Sequence, residues 1–123
     1  MKGAYIITME LKKDAEIVVG KLGSITFKKG IYYYAGSSQN NLEKRVERHK
    51  RKEKTKHWYI DYLTTNPEVK IINDKKYVGC LKEKECELAK ELSKKCFGIK
   101  GFGCSDCRCS SHLFYSKNLL KDN

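Results

Sequence analysis

A strand that passes through five polar residues into a basic helix sets the architecture of this chain. The segment is "GIYYYAGSSQNNLEKRVERHKRK". Its first part, 30–36, is dense in β-branched and aromatic residues and reads as a strand. "SSQNN" then supplies capping candidates, and the residues after it follow a helical pattern. Other strands flank this unit. "AYIITMEL" reads as a strand at 4–11, and "EIVVG" and "SITFKKG", separated by "KLG", read as a hairpin. "KHWYIDYLTTNP" reads as a second helix stopped before Pro67. "EVKIIND" and "KYVGC" read as two short strands around an Asn-Asp turn, followed by a helix over about 83–96. The tail is Gly- and Cys-rich, with "HLFY" as a final edge strand. This order predicts a single α+β (mixed α/β) domain over 1–123, with a small, mainly antiparallel sheet flanked by helices.

Charge narrows the partners. The 123 residues carry a net charge of +11, with 33% charged and 40% apolar side chains. Such a surface suits a polyanion. From Lys44 to Lys56 the eight Lys/Arg against two Glu form the densest basic run. That run is either a solvated helix face or a phosphate-tracking surface, and the global charge favours the second. No apolar run approaches the length of a membrane span, and the N-terminus carries no signal-peptide apolar region, so no membrane partner and a cytoplasmic address are expected. There the six cysteines are expected as reduced thiols or metal ligands.

Two helices place polar groups where apolar ones belong. On the helix at 83–96, Leu88, Ala89, Leu92 and Cys96 share one arc, and Glu85 falls in its middle. On the basic helix, Leu42 and Val46 share an arc with Arg45 and His49, while Lys44, Glu47 and Arg48 face away. Arg45 could snorkel, and Glu85 could simply favour a helix start. Charges at the rim of a shared cleft, partnered by a metal or an anion, account for both helices at once.

The ordered set "GAY", "YAG" and Leu-x-x-Arg-x-x-x-His, followed by "ECELA", resembles the GIY-YIG nuclease signature. With "HWYIDYL" and "GFGCSDCRCSSHLFY", nearly the whole chain is similar to a small branch of that superfamily, whose members stand alone or are attached to DNA-repair domains. The resemblance implies a GIY-YIG-like fold with an extra N-terminal hairpin, and divalent-metal-dependent endonuclease activity that hydrolyses phosphodiester bonds. It implies catalytic roles for Tyr5, Tyr34, Arg45, His49 and Glu85. Glu85 would hold one Mg²⁺ or Mn²⁺, a hard cation content with a single carboxylate and several waters. Tyr5 and Tyr34 would flank the attacking water, one as general base and the other orienting it, and Arg45 would clamp a phosphate oxygen. His49 would bond the phosphate or a tyrosine hydroxyl, or else is a packed helix histidine. Gly36, Ser37, Arg48, Lys50, Arg51 and Lys52 are the expected nucleic-acid contacts, with DNA ranked ahead of RNA.

Other readings stay open. Cys104, Cys107, Cys109 and His112 offer four soft ligands within nine residues, which zinc would accept. Cys80, Cys86 and Cys96 read equally as plain thiols. Tyr32 and Tyr34 share one side of their strand and Tyr33 takes the other. His57 and Asp61 are spaced to pair, and Trp58 reads as core packing before base stacking. A non-catalytic nucleic-acid-binding module and a zinc-stabilised interaction domain are the alternatives to a nuclease.

Overall fold

A computed structural model describes residues 1–102 and 111–120. Strand β1 (Gly3–Leu11) pairs antiparallel along its whole length with β4 (Gly30–Ser38), Tyr5 standing opposite Gly36. Between them, β2 (Ala15–Val18) and β3 (Ser24–Phe27) form a separate two-stranded hairpin, closed by a 3₁₀ turn at Gly20–Leu22. After β4 come α1 (Leu42–Lys50), the short α2 (Asp61–Thr64) and β5 (Val69–Val78). Then follow α3 (Glu83–Ser93), β6 (Phe97–Gly98) and β7 (Leu113–Ser116). The main sheet has five strands in the order β5-β1-β4-β7-β6, all pairs antiparallel. The fold is therefore α+β, as the order of patterns predicts.

Strand alternation divides the core in two. Tyr5, Ile7, Met9, Leu11 and Tyr32 point to one face, where Leu42 and Val46 of α1, Ile60, Leu63 and the hairpin's Ile17 and Phe27 cover them. Ala4, Ile31, Tyr33 and Ala35 point to the other, under Leu88, Ala89 and Leu92 of α3. The two helices thus lie on opposite faces of one sheet. Asn41 caps α1, its Oδ1 accepting from Lys44 N at 3.1 Å.

Several expected boundaries shift. The two short strands around Asn73-Asp74 are one ten-residue strand, β5. A bulge at Ile72 absorbs the polar pair, because the register slips between Thr8 and Met9 of β1. The expected second helix shrinks to Asp61–Thr64. The Asp61 carboxylate accepts from His57 N at 2.7 Å and Trp58 N at 3.0 Å, holding the preceding residues as a loop. The expected pairing of the His57 and Asp61 side chains gives way to that backbone bond. Helix α3 ends at Ser93, short of Cys96. The tail strand β7 is internal, since the two-residue β6 covers its outer side. Among the described residues no helix is long and apolar enough to cross a membrane.

Candidate functional site

Glycines open the site. A Cβ on Gly36 would lie 2.4 Å from both Cζ and the hydroxyl oxygen of Tyr5, so only glycine lets that ring cross β4. A Cβ on Gly3 would meet Tyr77 O at 2.5 Å and Leu42 Cδ2 at 2.8 Å, so glycine also admits α1 to the end of β1. The residue types of "GAY" and "YAG" are thus fixed by close approach.

Beside these glycines the sheet has a gap. Strand β7 pairs only with Ile31–Tyr34, and the Ala35 N–H donates to His112 O at 2.9 Å. The β7 side of β4 beyond that point is met by the first turn of α3 instead of a strand. A cleft of about 970 Å³ opens there, lined among others by Tyr5, Tyr34, Arg45, His49 and Glu85. All five residues expected to be catalytic therefore meet in one cavity. They arrive from β1, β4, α1 and α3, with α1 and α3 reaching round from opposite faces of the sheet.

Contacts knit the five together. The Glu85 carboxylate accepts from Ser37 Oγ at 2.6 Å, and its other oxygen lies 2.7 Å from His112 Nδ1. Its side chain remains 12% exposed. Arg45 Nη1 donates to Ser37 O at 3.2 Å, and its guanidinium lies 4.4 Å from the Trp58 ring centre. The Tyr5 hydroxyl and His49 Nε2 are 2.8 Å apart.

Electrostatics then assign protonation states. Burial pushes the phenols of Tyr5 and Tyr34 well above the usual tyrosine value, outweighing Arg45, which pulls both down. Burial, with help from Lys54, Arg45 and Arg48, lowers His49 to about 3 against the opposing pull of Asp61. At neutral pH the cleft therefore holds neutral tyrosines and a neutral imidazole. The charges left to act on a ligand are cationic, apart from Glu85: Lys21, Lys44, Arg45, Arg48, Lys56 and Lys82 all line the wall.

The expected nucleic-acid contacts divide. Gly36, Ser37 and Arg48 line the cleft, but Lys50 and Lys52 line a separate groove along β5, and Arg51 lines neither. Lys50 pairs with Asp74 at 2.8 Å, and Lys52 donates to the carbonyls of Asn66 and Val69. Arg48, expected to face away, makes a two-bond pair with the fully buried Asp61 at 3.0 and 2.9 Å and lies 4.5 Å from the Trp58 ring centre. Its first task is to anchor the loop before α2. Trp58, read as core packing, is half-buried in the cleft wall beneath two guanidiniums. Lys21, Lys82 and Ser37's bond to Glu85 depend on long-range contacts, and no local pattern announces them.

One hard oxygen ligand, half-enclosed in a basic cleft, fits a divalent cation that keeps most of its ligands as water and substrate. Among the described residues no group of three or more His, Cys, Asp and Glu side chains forms a closed metal cage. Cys104, Cys107 and Cys109, expected as zinc ligands, lie outside the described residues. Their fourth partner, His112, is fully buried and faces Glu85 through Nδ1. Cys80, Cys86 and Cys96 are partly buried, and none is in a disulfide among the described residues.

Comparison with known proteins adds a family. Neither the curated proteins nor the solved structures contain a match to this chain. The family model described as domain of unknown function DUF123 matches residues 4–122, and the chain belongs to that family.

Proposed function

We propose that this protein is a divalent-metal-dependent endonuclease of GIY-YIG type, acting in the cytoplasm on nucleic acid, DNA before RNA. The observation that carries the reading is the convergence of Tyr5, Tyr34, Arg45, His49 and Glu85 on one cleft. The six cationic side chains around that cleft suit a phosphodiester backbone.

Each residue has a task that follows from its surroundings. Arg45 is held in place by the Ser37 carbonyl and Trp58, so its remaining N–H groups are preorganised for a phosphate oxygen. Tyr5 and Tyr34, kept protonated by burial, orient the attacking water by hydrogen bonds. His49 Nε2 fixes the Tyr5 hydroxyl and, being neutral, adds no charge beside it. Glu85 would hold Mg²⁺ or Mn²⁺, which when bound supplies Lewis acidity to the phosphate and lowers the pKa of water.

A non-catalytic binding module is the second reading. It is favoured by the same phenols, since burial moves both away from the range of a general base at neutral pH. The test incubates the purified protein with labelled branched, single-stranded and duplex DNA and with RNA, with and without Mn²⁺. A nuclease yields Mn²⁺-dependent products that Glu85→Ala and Arg45→Ala abolish. Salt-sensitive retention of every substrate without cleavage assigns the cleft to binding alone.

A further inference from the structure

The Glu85 carboxylate is gripped at both oxygens by side chains from one strand edge. Ser37 on β4 donates through Oγ to Oε1 at 2.6 Å. His112, just before β7, brings Nδ1 to 2.7 Å from Oε2, with its side chain 1% exposed. Both tethers are themselves fixed. Ser37 is paired in the β1–β4 ladder opposite Ala4. The His112 backbone donates to Phe102 O at 2.8 Å and accepts from Ala35 N at 2.9 Å. The imidazole therefore shares the rigidity of the sheet.

A glutamate at the first turn of a helix otherwise rotates about three side-chain torsions, and ordering it has an entropic cost. Among the described residues no group of three or more His, Cys, Asp and Glu side chains forms a cage around it. A lone carboxylate must then be preorganised if it is to hold a weakly bound, largely hydrated ion. An ionised carboxylate has about four lone-pair sites, so the Ser37 hydroxyl on one oxygen and the His112 ring against the other still leave room for a cation. From this we infer that Ser37 and His112 are positioning residues that hold Glu85 in the orientation a hard divalent cation requires. The inference rests on the reading of Glu85 as the cation's ligand. It adds the two residues that set the strength of that ligand. Glu85 docked against the sheet only to anchor α3 is the competing account, and it makes no demand on cation affinity.

Mn²⁺ affinity of the full chain separates these accounts, read by electron paramagnetic resonance as loss of the free-ion signal. Removing an outer-shell partner of a metal ligand weakens affinity by about 10–100-fold. That loss is expected for Ser37→Ala and for His112→Gln, whose amide extends to the distance of Nε2. His112→Asn places an N–H near the Nδ1 position and is expected to bind within about threefold of the parent. In a Glu85→Ala background the tether substitutions should change residual binding no further. Melting by circular dichroism identifies folded variants. Should His112→Gln not fold, Ser37→Ala decides alone.

Folded tether variants that bind Mn²⁺ as tightly as the parent overturn the inference and leave the nuclease reading standing. Tether variants that lose affinity in a protein that cuts nothing support the inference and overturn the nuclease. Mn²⁺ binding indifferent to Glu85→Ala overturns both.

Discussion

Acid should weaken this protein through one histidine, and the size of the effect follows from its surroundings. His49 is 1% exposed and packed among Tyr5, Tyr34 and Trp58, with Lys54, Arg45 and Arg48 adding positive charge and Asp61 opposing them. Burial is the largest cause of its low pKa of about 3. In the unfolded chain the same imidazole titrates near 6.5. Between those values the unfolded state binds a proton that the folded state refuses, so stability is complete above about pH 6.5 and falls as pH drops toward about 3. At ~1.4 kcal/mol per pH unit below 6.5, the loss between about pH 7.5 and about pH 5 is ~2 kcal/mol from this group.

Urea unfolding at the two pH values, followed by the fluorescence of the single Trp58, measures the loss. The comparison is His49→Gln, whose amide can still bond the Tyr5 hydroxyl but does not titrate. Every other titrating group is common to the two proteins and cancels in the difference. The parent should lose about 2 kcal/mol more than the variant over this window. Parallel losses would refute the reasoning, as would an NMR titration of folded His49 near the ordinary histidine value. Either result would put a charged imidazole beside Tyr5 and undo its assigned role as a neutral anchor for the hydroxyl.

Arg48→Ala removes the two-bond partner of the fully buried Asp61, which keeps Lys54 Nζ at 3.9 Å and two backbone N–H donors, and should cost about 3 kcal/mol in urea unfolding, whereas Lys50→Ala, on a partly exposed pair, should cost less than about 1 kcal/mol. Gly36→Ala drives a methyl to within 2.4 Å of the Tyr5 ring and should cost about 1–3 kcal/mol while displacing Tyr5 from His49, seen as a lost hydroxyl contact in a crystal structure of the variant. On duplex DNA, Lys44→Ala and Lys56→Ala in the cleft should each flatten the log–log salt dependence of binding by about 0.9, whereas Lys52→Ala in the β5 groove should leave it unchanged.

What could be read from the sequence was local. The Tyr-rich strand, the Asn-capped basic helix and the hairpin each carry their signal within a dozen residues, and each forms close to its expected bounds. What could not be read depends on partners far along the chain. The Asn73-Asp74 pair looks like a turn until β1 supplies a register in which a bulge accommodates it. "KHWYIDYL" has helical spacing, but Arg48 draws the Asp61 carboxylate into a buried pair, and that carboxylate also takes two backbone N–H groups from the helix start. β7 becomes internal only because a two-residue strand, too short to carry a pattern, lies beside it. The basic run misled for a related reason. Charge density does not say which lysines share a groove, and Lys50 and Lys52 line one apart from the cleft.

Glu85 shows how a periodicity argument can place a residue without showing the route by which it meets Arg45. The helical wheel puts it inward, and inward for α3 means the face of the sheet that α1 does not touch. Two helices on opposite faces ordinarily cannot share a site. Here they can, because among the described residues the β4–β7 ladder ends at Tyr34, and beyond it Ser37 meets side chains of both α1 and α3. Ser37 sits at that edge and serves both sides: its carbonyl accepts from Arg45 at 3.2 Å and its hydroxyl donates to Glu85 at 2.6 Å. On the proposed reading, a phosphate on the guanidinium and a cation on the carboxylate would bridge across Ser37, at the rim of the sheet and not in a furrow between helices. On that reading substrate would enter end-on to the strands, with the spacing between the two charged groups set by the single residue Ser37.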